Sequence, residues 1–403
     1  MVDLHKIQET TKYATMNNKT IGVIGSGTMG SGIAQLAAVS GCRVILFDAN
    51  MKAAENALEK TAKILAGLVL KNKIQEKDAT AAISRIKIGN SLQDFSECNL
   101  VIEAIIEDLA VKKELFKNLE KICLSSCIMA TNTSSISITS IASACKNPGR
   151  VIGIHFFNPA PIMPLVEIIP GLATDNQVVS EAIEMIKSWG KVTVLAKDTP
   201  GFIVNRVARP FYGEAIRIYE EGIADFATID WAVKEFGGFK MGPFELMDFI
   251  GNDVNYKVTE TVWQQFFYDA RYKPSLTQKR LFEAGFWGKK TGRGYYDYSE
   301  GAKHPEPVKD INLGKQILPR ILAMLVNEAY EALYYKIATK EDLETAMTKG
   351  VNYPKGLIQW GEEIGLATVL TVLDELYASY KEERYRPSLL LRKMATKKVN
   401  STP

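Results

Sequence analysis

Cysteine is scarce in this 403-residue chain, with five residues at positions 42, 98, 123, 127 and 145. An odd number confined to the first 145 residues does not make a disulfide scaffold, so reduced thiols and a cytoplasmic location are expected. Cys123 and Cys127 have no second Cys/His pair nearby, so no zinc site and no other metal is expected. Long apolar runs are missing too. Stretches such as Ile64–Leu70 fall far short of the ~20 residues that a membrane span requires. Met1 to Lys19 is polar and carries no apolar leader segment. No charge of one sign dominates: Lys and Arg number 49 against 46 Asp and Glu, a net charge of +3. That balance argues against a nucleic-acid partner. Hydrophobic residues at 46% and charged residues at 24% exclude disordered and collagen-like classes. At roughly 150 residues per domain, two to three domains are expected.

Residues 1–18 read as a polar tail. From Thr20, short β-rich apolar runs alternate with helical stretches. The runs are 20–25, 43–48, 86–89, 99–103, 127–131, 151–157, 165–169 and 191–196; helical segments include 31–40, 52–70 and 111–123. Successive βα units of this kind build a doubly wound, mostly parallel sheet covered by helices. The character changes at Asp198-Thr-Pro-Gly-Phe202, beyond which long amphipathic helical patterns dominate. The expected layout is an α/β domain over 19–198, a helical domain over 199–300, a linker over 301–313 and a second helical domain over 314–395.

An internal repeat supports the two helical domains. Glu214-Ala215 returns as Glu328-Ala329, Gly222-Ile-Ala224 as Lys336-Ile-Ala338, and Ile250-Gly251 as Ile364-Gly365, all at an offset of 114 residues. Tyr272-Lys-Pro-Ser-Leu276 returns as Tyr385-Arg-Pro-Ser-Leu389 at an offset of 113. Independent matches in one register indicate tandem copies of one helical domain.

Chemistry concentrates in the first domain. Thr20–Gly30 is a strand running through Gly25-Ser-Gly27-Thr28-Met29-Gly30 into a helix. Gly25 permits a tight turn, Gly27 lets backbone approach a pyrophosphate, and Gly30 lets the helix pack on the strand. Asp48 ends the next strand, where an acid accepts hydrogen bonds from ribose hydroxyls and repels a 2′-phosphate. Ala49 and Asn50 supply no arginine for such a phosphate, which favours NAD over NADP. The alternative is a structural glycine turn beside a solvent-facing acid.

Of three histidines, His5 lies in the tail and His304 in the linker, and both read as solvated bystanders. His155 instead ends the apolar run Val151-Ile-Gly-Ile-His155, the sheet edge where open α/β folds place ligands. Imidazole suits general-base work near neutral pH. Twelve residues on, Glu167 is a lone charge among apolar neighbours. A turn through Asn158–Met163, with two prolines, would lay the two strands side by side and let Glu167 fix the imidazole tautomer. Spacing alone leaves open a satisfied core histidine beside an edge-strand glutamate.

Together these stretches resemble the L-3-hydroxyacyl-CoA dehydrogenase family over nearly the whole chain after residue 19. The carrying motifs are Gly25–Gly30, Val101-Ile-Glu-Ala-Ile-Ile-Glu107, Asn132-Thr-Ser-Ser135, His155-Phe-Phe-Asn-Pro159, Asp198–Arg206 and Gly288-Lys-Lys-Thr-Gly292. The resemblance implies a Rossmann-type domain followed by two all-α domains, and NAD-dependent oxidation of a 3-hydroxyacyl-CoA in fatty-acid metabolism. It implies that His155 is the base, Glu167 its orienting partner, Ser134 a contact to substrate and cofactor, and Asn205 a holder of the substrate oxygen. Gly25, Gly27, Thr28, Met29, Gly30, Asp48, Glu107, Lys112, Asn158 and Lys290 are its implied cofactor positions. Each of Lys112, Asn158, Ser134 and Lys290 also has a plain reading: solvated helix charge, turn former, helix cap or loop decoration. Where some relatives carry a CoA-binding serine this chain has Ile64, leaving Lys71 as a candidate for a CoA phosphate.

The repeat has its own implication. Single-copy relatives dimerise through the helical domain, so a second copy stands in for the partner and leaves a monomer or a homodimer open. That copy has no counterpart of Gly288–Gly294 and is expected to serve packing. Two rival readings are a sugar-acid (L-gulonate-type) dehydrogenase of the same fold and a non-catalytic NAD-binding protein.

Overall fold

The computed structural model describes residues 19–399, so the expected tail at 1–18, with His5, lies outside the described residues. The chain divides into two compact units between Asp198 and Thr199. In the first, β1 (Thr20–Ile24), β2 (Arg43–Phe47), β3 (Ile86–Ile88), β4 (Leu100–Glu103), β5 (Ile128–Thr131), β6 (Val151–Phe156), β7 (Leu165–Pro170) and β8 (Val192–Leu195) form one sheet. The order is β3-β2-β1-β4-β5-β6-β7-β8. Every pairing is parallel except β6–β7, which is antiparallel. The central strands are Val- and Ile-rich and buried on both faces, as helices covering both sides of a sheet require.

The covering helices are α1 (Thr28–Val39), α2 (Met51–Leu70), α3 (Glu76–Ser84), α4 (Leu109–Ile122), α5 (Ile138–Ala142) and α6 (Asn176–Ser188). Asn50 caps α2 through Ala53 N–H and Asp108 caps α4 through Val111 N–H. Each satisfies a donor that an open first turn would leave unpaired. Ala54, Ala57, Thr61 and Leu65 form the buried stripe of α2. The polar α3 buries only Ala79 and Ala82, which is why spacing did not single it out. Because β2 and β3 lie on one side of β1 and β4 on the other, the winding reverses between β1 and β4. Ligands of open α/β sheets sit at the carboxyl ends of strands at such a reversal.

The second unit is helical: α7 (Val204–Val207), α8 (Arg209–Glu220), α9 (Phe226–Gly237), α10 (Pro243–Ile250), α11 (Asn252–Gln265), α12 (Leu276–Glu283), α13 (Ile311–Tyr334), α14 (Lys340–Gly350), α15 (Leu357–Ile364), α16 (Leu366–Tyr380) and α17 (Leu389–Val399). Helix α13 begins at Ile311, capped by Asp310, slightly earlier than the expected linker end. His304 is exposed but not idle: its ring lies 4.8 Å from that of Tyr296 and edge-on to Tyr298.

The repeat appears as matched interactions. Arg206 Nε donates to Glu328 Oε1 at 2.7 Å, and its counterpart Arg320 Nε donates to Glu214 Oε1 at 2.5 Å. Tyr272 and Tyr385 then donate their hydroxyls to Glu328 (2.7 Å) and Glu214 (2.8 Å). The copies also cap alike. Asp230 accepts the N–H groups of Phe244 and Glu245, while Glu344, at the same repeat position, accepts those of Ile358 and Gln359. Glu214 and Glu328 are buried, so each depends on the cation that the other copy supplies.

Candidate active site

The glycine turn forms at the end of β1. Gly25 has φ +98°, and a Cβ there would stand 2.5 Å from the carbonyl oxygen of Ala104. A Cβ on Gly30 would stand 1.8 Å from the Gly25 carbonyl, so only glycine lets α1 approach the turn this closely. Gly27 differs, because a Cβ there would meet nothing within 4 Å. Its backbone borders open space at the start of α1, whose first turn, with Thr28 and Met29, carries no side-chain cap. Open backbone beside uncapped, positive N–H groups fits a pyrophosphate.

Asp48, just past β2, accepts Ser26 N–H and the Ser26 hydroxyl on one oxygen, both at 2.8 Å, and Asn50 N–H on the other at 2.9 Å. Partial burial pulls its carboxyl up, but the bonds from Asn50 and Ser26 outweigh it and hold the group below its ordinary value. Glu107 is also held low: burial raises it, and the Lys112 ammonium with the Thr133 and Ser134 bonds more than reverses that. A depressed carboxylate stabilises the fold above its unfolded value, and that contribution is lost as pH falls through the folded value. Asp48→Asn is therefore expected to lower Tm near neutral pH, with the gap to the parent closing below about pH 4 in a pH series of melting curves.

Beyond β4 and β5 a polar network replaces the plain reading of Lys112 as a surface charge. Lys112 is 1% exposed. Its Nζ reaches both carboxylate oxygens of Glu103, at 2.8 and 2.9 Å, and Glu107 at 3.3 Å. Glu107 Oε1 accepts the Thr133 hydroxyl at 2.6 Å and the Ser134 N–H at 3.1 Å, with the Ser134 hydroxyl at 3.4 Å. Asn132 Oδ1 accepts the Phe156 N–H, tying this loop to the end of β6.

His155 and Glu167 stand directly opposite each other in the antiparallel β6–β7 register. His155 Nδ1 lies 2.7 Å from Glu167 Oε2, with the histidine buried and the glutamate at 0% exposure. Nδ1 is therefore the ring nitrogen that faces the carboxylate, and Nε2 the one that does not. The connecting turn, which carries Asn158, is clipped by Lys191, whose ammonium donates to the carbonyls of Ala160 (2.6 Å), Pro161 (3.3 Å) and Met163 (2.8 Å). Burial pushes Lys191 down to about 8.

The first unit therefore gathers Gly25–Gly30, Asp48, Glu107, Lys112, Ser134, His155, Asn158 and Glu167 at the carboxyl edge of its sheet. Lys71 is exposed at the carboxyl end of α2. Asn205 is on α7 of the helical unit; Lys290, also there, is paired with Asp253 at 2.6 Å and lies over the Trp287 ring. Spacing missed Glu103, Asn132, Thr133 and Lys191. Glu103 carried a readable signal, a lone charge closing an apolar strand, the same sign that marked Glu167. Among the described residues no His/Cys/Asp/Glu group could hold a metal ion, and no helix is long and apolar enough to cross a membrane.

The doubly wound sheet, its glycine turn and the acid after β2 are the parts of a dinucleotide site, and similarity makes the class specific. Residues 20–199 match the NAD binding domain of 3-hydroxyacyl-CoA dehydrogenase, and residues 201–298 and 317–402 match the C-terminal domain of the same family. The chain is an NAD-dependent oxidoreductase. It belongs to the 3-hydroxyacyl-CoA dehydrogenase family. It is 38% identical to the 3-hydroxyadipyl-CoA dehydrogenase of Escherichia coli, over 94% of this chain and 98% of that protein. It is 43% identical to a probable 3-hydroxybutyryl-CoA dehydrogenase of Bacillus subtilis, over 71% of this chain and 99% of that one. The crystal structure of an Escherichia coli 3-hydroxybutyryl-CoA dehydrogenase superposes with a TM-score of 0.89 at 36% identity, covering 96% of this chain and all of that one.

Proposed function

We propose that the chain oxidises an (S)-3-hydroxyacyl-CoA to the 3-oxoacyl-CoA, reversibly, with His155 and Glu167 acting as a dyad. The observation that carries this reading is the buried 2.7 Å His155–Glu167 pair at the sheet edge that also holds the glycine turn. Gly25–Gly30 and Asp48 would hold NAD, with Glu107, Lys112, Ser134, Asn158 and Lys290 as further cofactor positions by family motif. When bound, NAD accepts the hydride that leaves C3 of the substrate.

His155 takes the hydroxyl proton on Nε2 while its Nδ1–H stays with Glu167. The carboxylate offsets the charge of the imidazolium formed, which favours proton uptake. By family motif, the Ser134 hydroxyl, turning from its long 3.4 Å bond to Glu107, and the Asn205 carboxamide donate to the substrate oxygen as charge builds there. The reverse reaction runs through the same groups, with the imidazolium returning its proton to the oxygen. The second helical copy carries Pro319 where the first carries Asn205, which supports a packing role for it.

A panel of 3-oxoacyl-CoA substrates, short, medium and dicarboxylic, followed by NADH absorbance tests the reading. Turnover of at least one member is expected, and no NADH from L-gulonate supplied with NAD; NAD binding without turnover of any acyl-CoA overturns the reading. NADH should be preferred over NADPH, and Asp48→Asn should narrow that preference by about tenfold, because a like charge facing the 2′-phosphate is removed.

A further inference from the structure

Glu103 takes no part in the steps above, yet it is the residue on which the polar network converges. It ends β4 beside the reversal of winding, opposite Ile24 of β1, and is fully buried. Its oxygens accept the Lys112 ammonium at 2.8 and 2.9 Å, the Ile105 N–H at 3.1 Å and the Thr131 hydroxyl.

Two paths lead from it to the same loop. Lys112 passes to Glu107, which holds the Ser134 N–H. The Thr131 hydroxyl, its one proton spent on Glu103, accepts the Thr133 N–H at 3.2 Å. Thr133 in turn spends its proton on Glu107 and accepts the Ser135 and Ile136 N–H groups at 3.3 and 2.9 Å. With a carboxylate at each end, every hydroxyl between them has only one direction open to it.

We propose that Glu103 is a positioning residue for the cofactor site, holding Lys112 and Thr131 so that Glu107 and the Ser134 loop are set for NAD. The inference deepens the reading given under the proposed function and rests on it for the placement of NAD beside Glu107 and Ser134. Without Glu103 the Lys112 charge has Glu107 as its remaining acid and draws that carboxylate from the Ser134 N–H.

The test separates this from mere stability. Glu103→Gln keeps one carbonyl oxygen where the carboxylate gave the Ile105 N–H and the Thr131 hydroxyl separate ones, and it takes the negative charge from a buried ammonium, so a lower Tm is expected for the single variant. Adding Lys112→Met removes the stranded charge, and the double variant is expected to recover Tm because a buried ion pair replaced by neutral groups is often tolerated. NAD affinity is expected to stay weakened in the double variant by roughly 10–100-fold, the usual cost of losing bonds to charged groups. Affinity is read by calorimetry without any acyl substrate. The pH below which NAD binding fails is also expected to move upward, because Glu107 no longer has the ammonium that keeps it ionised. A double variant that recovers Tm and binds NAD as the parent does, with the same pH profile, overturns the proposal. One that fails to recover Tm is judged by the single Lys112→Met variant, whose unchanged NAD affinity overturns it equally. Because the parent's NAD binding is the control, absence of acyl-CoA turnover would sink the substrate reading alone.

Discussion

Replacing His155 by Gln is expected to lower kcat by about 10²–10⁴-fold, the range for losing a positioned general base. NAD affinity is expected to be retained, since the glycine turn and Asp48 stand on β1 and β2, apart from β6. Glutamine can still present an amide N–H toward the wholly buried Glu167, so the carboxylate is not stranded and the fold is expected to persist. Glu167→Gln makes the complementary case. Its amide offers an N–H to His155 Nδ1 and favours the tautomer protonated on Nε2, which has no lone pair for a substrate proton. Both variants are read by single-turnover NADH absorbance, with calorimetric NAD binding as the control. A His155→Gln protein that keeps kcat within tenfold of the parent would remove the imidazole from the mechanism.

Deleting residues 308–403 is expected to yield insoluble or newly dimeric protein. The deletion strips Arg206 of Glu328, and leaves Glu214 without Arg320 and Tyr385. It also uncovers the apolar faces that α8 and α9 pack against α13. A point version is Glu328→Ala, which leaves Arg206 and Tyr272 without their buried acceptor and Arg271 with Glu331 alone. Removing one member of a buried ionic cluster costs about 3–5 kcal/mol. In a unit of this size that lowers Tm by roughly 6–20 °C. Size-exclusion chromatography and thermal melting follow the two variants; a truncated chain that remains soluble, monomeric and active would refute the packing role of the second copy.

Much of the first unit was legible because its strands are continuous apolar runs and its turn depends on glycines that no other residue replaces. Residues 25 and 30 each have a different steric reason to lack a Cβ, and both appear in the geometry, whereas at residue 27 the geometry shows only open space. The facing of His155 and Glu167 was also readable, because an antiparallel return fixes which residues oppose each other. Other features depend on contacts that local pattern does not encode. Lys112 looks like any helix charge until α4 brings it over the end of β4, where Glu103 waits nine residues upstream in the chain. Among the described residues Lys191 has no acidic partner; it is held by three backbone carbonyls, an arrangement without a residue signature. His304 read as idle because it lies in a polar linker, and its ring contacts with Tyr296 and Tyr298 leave no mark in local pattern.

The crossed arginine–glutamate pairs carry an evolutionary consequence. A helical half lent to another gene would take along a bare acid and a bare base, so it would need a second helical half, in the same chain or in a partner copy, to pair them. Change at either crossing must arrive in matched pairs from opposite halves, and that ties the descent of the two copies together however far the rest of their sequences drift.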